Sequence, residues 1–131
     1  MTKRVLDVGQ CAPDHAAIRS FLRHHFDCEI AQAYGLADTL ERLKCERVDL
    51  VLVNRKLDQD YSDGIDVVRA IKADPALADV PVMLITNYPE HQNEAVAAGA
   101  LHGFGKLEFN DPVTRERLAA VLRNQKGDKS N

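Results

Sequence analysis

The feature that most constrains this chain is a five-fold alternation of short apolar runs with segments of helical period. Two of the runs, Val48-Asp49-Leu50-Val51-Leu52-Val53 and Val80-Pro81-Val82-Met83-Leu84-Ile85, are apolar almost throughout. Uninterrupted runs of this length belong to strands buried on both faces, as in the middle of a parallel sheet. Val5 to Val8 reads as a first strand and Cys28 to Ala33 as a weaker second one, an edge, with Ile30 its only strong apolar residue. Leu101 to Gly105 reads as a short fifth strand.

Between the runs the punctuation is helical. Pro13 suits the first turn of a helix, whose free N–H groups need no donor from proline, and Ala17, Ile18, Phe21 and Leu22 form one apolar stripe. Gly35 opens a second helix carrying Leu36, Leu40 and Leu43. Ser62 or Asp63 caps a third, with Ile65, Val68 and Ile71 inward and Asp74-Pro75 as its stop. A fourth runs from Pro89 to Gly99. Asp111-Pro112 starts a fifth that carries Leu118, Val121 and Leu122. Strand and helix in strict alternation predict an α/β fold: a doubly wound, five-stranded parallel sheet with helices on both faces, a three-layer sandwich. The domain spans 1–124, followed by a polar tail at 125–131.

Composition excludes several function classes. A net charge of −3 with scattered basic residues speaks against nucleic acid as a partner. No apolar run reaches the roughly 20 residues that span a bilayer, and no signal peptide precedes the first strand. Cys11, Cys28 and Cys45 show no metal or redox spacing, which favours a reduced, cytoplasmic setting. Neither a Ser/His/Asp arrangement nor a glycine-rich phosphate loop is present. His24-His25 point in different directions on a helix and suit its C-terminus better than a metal. Asp14 complements the positive end of the first helix, and Cys11 reads as a packed thiol.

In parallel sheets of this kind function collects at the carboxyl ends of the central strands. The residues there are Gly9, Gln10, Asn54, Thr86, Asn87 and Lys106. Three details now identify a family resemblance: the strand Asp49-Leu50-Val51-Leu52-Val53 ending at Asn54; the strand Leu84-Ile85 ending at Thr86; and Ala98-Gly99-Ala100 followed by Lys106, seven residues after the glycine. Over about residues 4–124 the chain resembles the receiver domain of bacterial two-component response regulators, with its flavodoxin-like (βα)5, CheY-like fold. The resemblance implies a phosphorelay signalling domain rather than an enzyme. In that family an aspartate at the end of strand three accepts a phosphoryl group, an acidic pair after strand one helps hold Mg²⁺, and a hydroxyl and a lysine hold the phosphoryl oxygens.

Here the acceptor position is Asn54 and the acidic pair falls on Gly9 and Gln10, while Thr86 and Lys106 are retained. An amide is a poor nucleophile beside a carboxylate, and Mg²⁺ is usually held through carboxylates. The expectation is therefore a degenerate receiver with no metal, no cofactor and no phosphate on residue 54, acting through protein contacts. Asp7, on the same strand face as Gly9, is the one candidate substitute carboxylate; its alternative is a buried residue paired with a nearby donor. The loop at 55–63 is longer than usual and places Asp58, Asp60 and Asp63 on the rim, either as new partners for Lys106 or as a solvated loop with a helix cap. The family's aromatic switch residue falls on Gly103, with Phe104 displaced by one place and so facing the other way; Leu107 replaces a proline. The expected contact surface is the family's helix 4–strand 5–helix 5 face, here about Pro89 to Leu122, for a signalling protein or kinase-related partner; a homodimer through the same face is a second form. Two alternatives stand beside this reading: an anion- or ligand-gated switch at Thr86, Lys106 and Asn54, and a small flavodoxin-like enzyme.

Overall fold

The computed structural model describes residues 2–123, so the tail expected at 125–131 lies outside the described residues. The elements follow in the order β1 (Lys3–Val8), α1 (Ala12–His25), β2 (Cys28–Ala33), α2 (Leu36–Cys45), β3 (Leu50–Asn54), α3 (Gly64–Ala73), β4 (Val82–Ile85), α4 (Pro89–Ala97), β5 (Leu101–Phe104) and α5 (Pro112–Leu122), with a single 3-10 turn at Lys106–Glu108 before α5. All strand pairs are parallel and the sheet order is β2-β1-β3-β4-β5. The doubly wound α/β sandwich is as the alternation predicts. β3 and β4 lie inside it, which is why both faces of their runs are apolar.

The sheet separates two cores. Val5, Leu50, Leu52, Met83, Ile85 and Phe104 pack against Ile18 and Leu22 of α1 and Leu118 and Leu122 of α5. On the opposite face Leu6, Val8, Val51, Val53, Val82 and Leu84 meet Leu43 of α2, Val67, Val68 and Ile71 of α3, and Ala95 of α4. Each fully buried Leu, Ile or Val contributes roughly 1.5–3 kcal/mol through removal from water.

Some local expectations change. Ala17 and Leu36 are exposed, because each lies at the edge of its stripe rather than over the sheet. Thr39 takes an inward place on α2, its hydroxyl donating to Gly35 O at 2.6 Å. His24 and His25 lie in the last turn of α1; burial first, and then the neighbouring His24 and Arg115, hold the His25 pKa below the ordinary histidine value. Asp63 stands at the N-cap of α3, yet its carboxylate leaves the helix and pairs with Lys56.

Candidate functional site at the carboxyl ends of the strands

At the carboxyl edge of the sheet Asn54, Thr86, Asn87 and Lys106 share one cleft, Gly9 is bonded to Asn54, and Gln10 is buried beside Asp7. A cleft of about 180 Å³ lies between Asn54, Arg55, Lys56, Thr86, Asn87, Tyr88 and Lys106. Thr86 is tied down by its backbone, its N–H donating to Phe104 O at 3.0 Å. Its hydroxyl oxygen accepts from Tyr88 N at 3.2 Å, closing the β4–α4 turn.

The β1 side of the site is closed by a residue the sequence did not single out. The loop after β3 folds back on itself through an isolated bridge between Lys56 and Asp63. It drives Leu57 down onto Gly9, where Leu57 is 2% exposed. Gly9 has φ +80°, a conformation that favours glycine. A Cβ at residue 9 would fall inside contact distance of Leu57 Cδ2 and lie 3.2 Å from Leu57 Cα. The same glycine anchors the loop: Gly9 O accepts from Asp58 N at 2.9 Å and from Asn54 Nδ2 at 3.3 Å. Asn54 thus ties one of its two amide N–H groups to the β1 turn. Glycine, leucine and asparagine form one packed unit.

Lys106 is also engaged. Its Nζ lies 2.7 Å from Asp14 Oδ2 on the first turn of α1, and this bond holds the Asp14 carboxyl below its ordinary value. The rim carboxylates are therefore not partners of Lys106. Asp58 is exposed, Asp60 accepts from the backbone and hydroxyl of Ser62, and Asp63 pairs with Lys56. The part of the loop that matters is its buried leucine.

Asp7 is the buried, paired residue of the two readings. It is fully buried, and its Oδ2 lies 2.7 Å from His15 Nδ1. Gln10, 2% exposed, lies beside it and favours its ionised form, but Asp7 Oδ1 and both Gln10 amide atoms close no hydrogen bond of regular geometry. Burial pushes Asp7 up to about 6, against the lowering effects of the His15 hydrogen bond and charge, Gln10 and Lys106. Between about pH 4 and pH 6 the folded chain therefore holds a proton on residue 7 that the unfolded chain has released. Stability falls as pH rises from about 4 to about 6, and the cost stays constant above that, on the order of 3 kcal/mol at most. An asparagine would still accept from His15 Nδ1. Asp7→Asn is expected to raise stability at pH 7 by about 1–3 kcal/mol and to flatten its pH dependence between about 4 and 6, measured by urea unfolding across that range.

A divalent cation does not fit these residues. Gly9 offers no side-chain donor, Leu57 covers the space above it, Gln10 is buried against Asp7, and Asn54 is turned to Gly9 O. Among the described residues, no group of three or more His, Cys, Asp or Glu side chains could hold a metal ion.

The position of Phe104 is set at the irregular part of β5, where Phe104 pairs with Ile85. Phe104 is fully buried on the α1/α5 side, with ring centroids 6.4 Å from Phe21 and 6.2 Å from Phe109, and away from the cleft. Gly103 leaves no space for an aromatic in its place.

Comparison with known proteins decides the family. The model of the response regulator receiver domain matches residues 11–123. The chain belongs to that family. A putative response regulator from Chloroflexus aurantiacus is similar in structure, with TM-score 0.79, 16% identity, and coverage of 95% of this chain and 100% of that one. The phosphorylated cyanobacterial phytochrome response regulator RcpA matches with TM-score 0.73 and 17% identity, covering 93% and 95% of the two chains. The receiver domain of a sensor histidine kinase from Pseudomonas aeruginosa, with magnesium in its active-site cleft, matches with TM-score 0.68 and 18% identity over 94% and 96%. At these identities the structural likeness shows the fold; the family match makes this chain a receiver domain of two-component signalling. Among the described residues, no helix of this receiver domain is long and apolar enough to cross a membrane.

Proposed function

We propose that this receiver domain signals by protein–protein contact without phosphorylation at residue 54. The observation that carries the reading is the seating of Leu57 on Gly9. Loss of one carboxylate could be an isolated change, whereas a buried leucine packed where an acidic side chain at residue 9 would begin is a site rebuilt for another purpose. Asn54 holds the Gly9 turn, Lys106 is held by Asp14, and neither is left poised for a transferring group. Magnesium-assisted phosphoryl transfer depends on positioning and on charge neutralisation by the metal, and this arrangement supplies neither.

The partner in this proposal is a signalling protein, kinase-related or downstream, that meets the α4–β5–α5 face in a fixed state. Val96 and Leu101 are large apolar residues exposed there, 45% and 44%. A homodimer through the same face is the second form of the proposal. A cytoplasmic setting belongs to it as well, supported by Cys11, Cys28 and Cys45, whose spacing carries no metal or redox motif. The test is incubation with acetyl phosphate or phosphoramidate and Mg²⁺, read by intact mass and by melting temperature. The proposal expects no phosphoryl adduct and no Mg²⁺-dependent shift. A stable, Mg²⁺-dependent aspartyl phosphate on the chain would overturn it.

A further inference from the structure

Outside the cleft, the side chain of Gln92, on α4 and 3% exposed, closes three hydrogen bonds. It lies at an irregularity in the sheet. β4 and β5 pair at Met83 with Leu101 and at Ile85 with Phe104, so two steps on β4 face three on β5. An extra residue of this kind leaves backbone groups without ladder partners. Gln92 meets them: its Nε2 donates to Leu84 O at 3.0 Å and to Thr86 O at 3.2 Å, and its Oε1 accepts from Gly103 N at 2.8 Å. The carbonyl of the same residue, in the next peptide unit, is held from α5, where Arg117 Nη1 donates to Gly103 O at 3.1 Å. Gly103 is required at this point, since a Cβ there would overlap Leu84 O and lie 3.2 Å from Leu84 N. One residue of β5 is thus gripped from α4 and from α5, and the α4 grip also holds the carbonyl of Thr86 at the cleft.

We propose that Gln92 is the residue that locks α4, β4 and β5 into a single arrangement, with Arg117 adding α5, so that the α4–β5–α5 face is presented constantly. This deepens the function proposed above and rests on it: a surface read in a fixed state needs a device that holds it fixed. Burial makes the device strong. Removing the amide leaves two carbonyls and one N–H buried without partners, each a substantial penalty in a dry interior. The seam can then relieve that penalty only by opening locally.

The test is amide hydrogen exchange and relaxation dispersion on the unphosphorylated chain, wild type against Gln92→Ala and the near-isosteric Gln92→Met. In the wild type, dispersion is expected to be flat across α4, β5 and α5. In either variant the Gly103 and Phe104 amides are expected to exchange at least about tenfold faster, the equivalent of one lost hydrogen bond, with exchange broadening through α4 and α5. The amides of β1 and β3 should keep protection set by global unfolding, which separates a local lock from a general loss of stability. Should neither variant fold, the wild-type dispersion still decides. Unchanged Gly103 exchange in a folded variant, or microsecond–millisecond exchange across the face in the wild type, would overturn the lock. Phosphoryl labelling overturns the function instead, and the two failures are read by different measurements.

Discussion

Gly9→Asp is expected to destabilise the fold by about 2–5 kcal/mol, although it restores the residue type the family uses. Two costs add. A φ of +80° is unfavourable for any residue with a Cβ by roughly 1–2 kcal/mol, and pressing new atoms onto the buried Leu57 adds the roughly 1–3 kcal/mol typical of overpacking. Urea unfolding measures the sum, and a second substitution separates the parts. In the double variant Gly9→Asp/Leu57→Ala the packing cost should be relieved while the backbone cost remains, so that the effects of the two changes are not additive. A Gly9→Asp variant as stable as the wild type would mean that Leu57 does not fill the site.

The second large effect is expected at Gly103. Returning an aromatic to this position with Gly103→Phe should cost about 3 kcal/mol or more, or abolish folding. The atoms that a Cβ would meet are Leu84 O and Leu84 N, together with Met83 Cβ at 3.2 Å. Two of these are backbone inside the sheet and cannot step aside as a flexible side chain would. Insertion would also push apart the Gly103 N–H and the Gln92 amide that accepts it, now 2.8 Å apart. A loss of under about 1 kcal/mol by urea unfolding would show that the seam is soft, contrary to the packing described above.

These two glycines show where sequence reasoning reaches and where it stops. The fold was legible because β3 and β4 are buried on both faces and their composition says so. The edge to inspect was legible because a parallel sheet gathers its functional residues at the carboxyl ends of its strands, and Asn54, Thr86, Asn87 and Lys106 line one cleft there. What filled the site was not legible. Leu57 is a lone apolar residue in the polar stretch Arg55-Lys56-Leu57-Asp58-Gln59-Asp60, and its contact with Gly9 exists only once β1 and β3 lie side by side. An isolated leucine in a charged loop, with a glycine at the end of a neighbouring strand, was the available signal. Gln92 was missed for the opposite reason: α4 is polar along most of Pro89 to Ala97, so an inward amide looks like another solvated one. The pairing of Lys106 with Asp14 joins opposite ends of the chain, and charge types alone would assign Lys106 equally well to Asp58, Asp60 or Asp63.

Asp7 belongs to the same account. Its burial costs stability at neutral pH, and only the contact with His15 on the following helix, invisible to charge pattern, shows how its carboxyl is partnered.

The most direct test of the central claim is made on Asn54→Asp, the variant that returns the acceptor carboxylate and nothing else. If the site is closed by Leu57 on Gly9 and lacks its metal ligands, acetyl phosphate or phosphoramidate with Mg²⁺ should leave the intact mass of this variant unchanged. Stoichiometric, Mg²⁺-dependent gain of a phosphoryl group at residue 54 would contradict the account, because it would show a working receiver site disabled by a single amide.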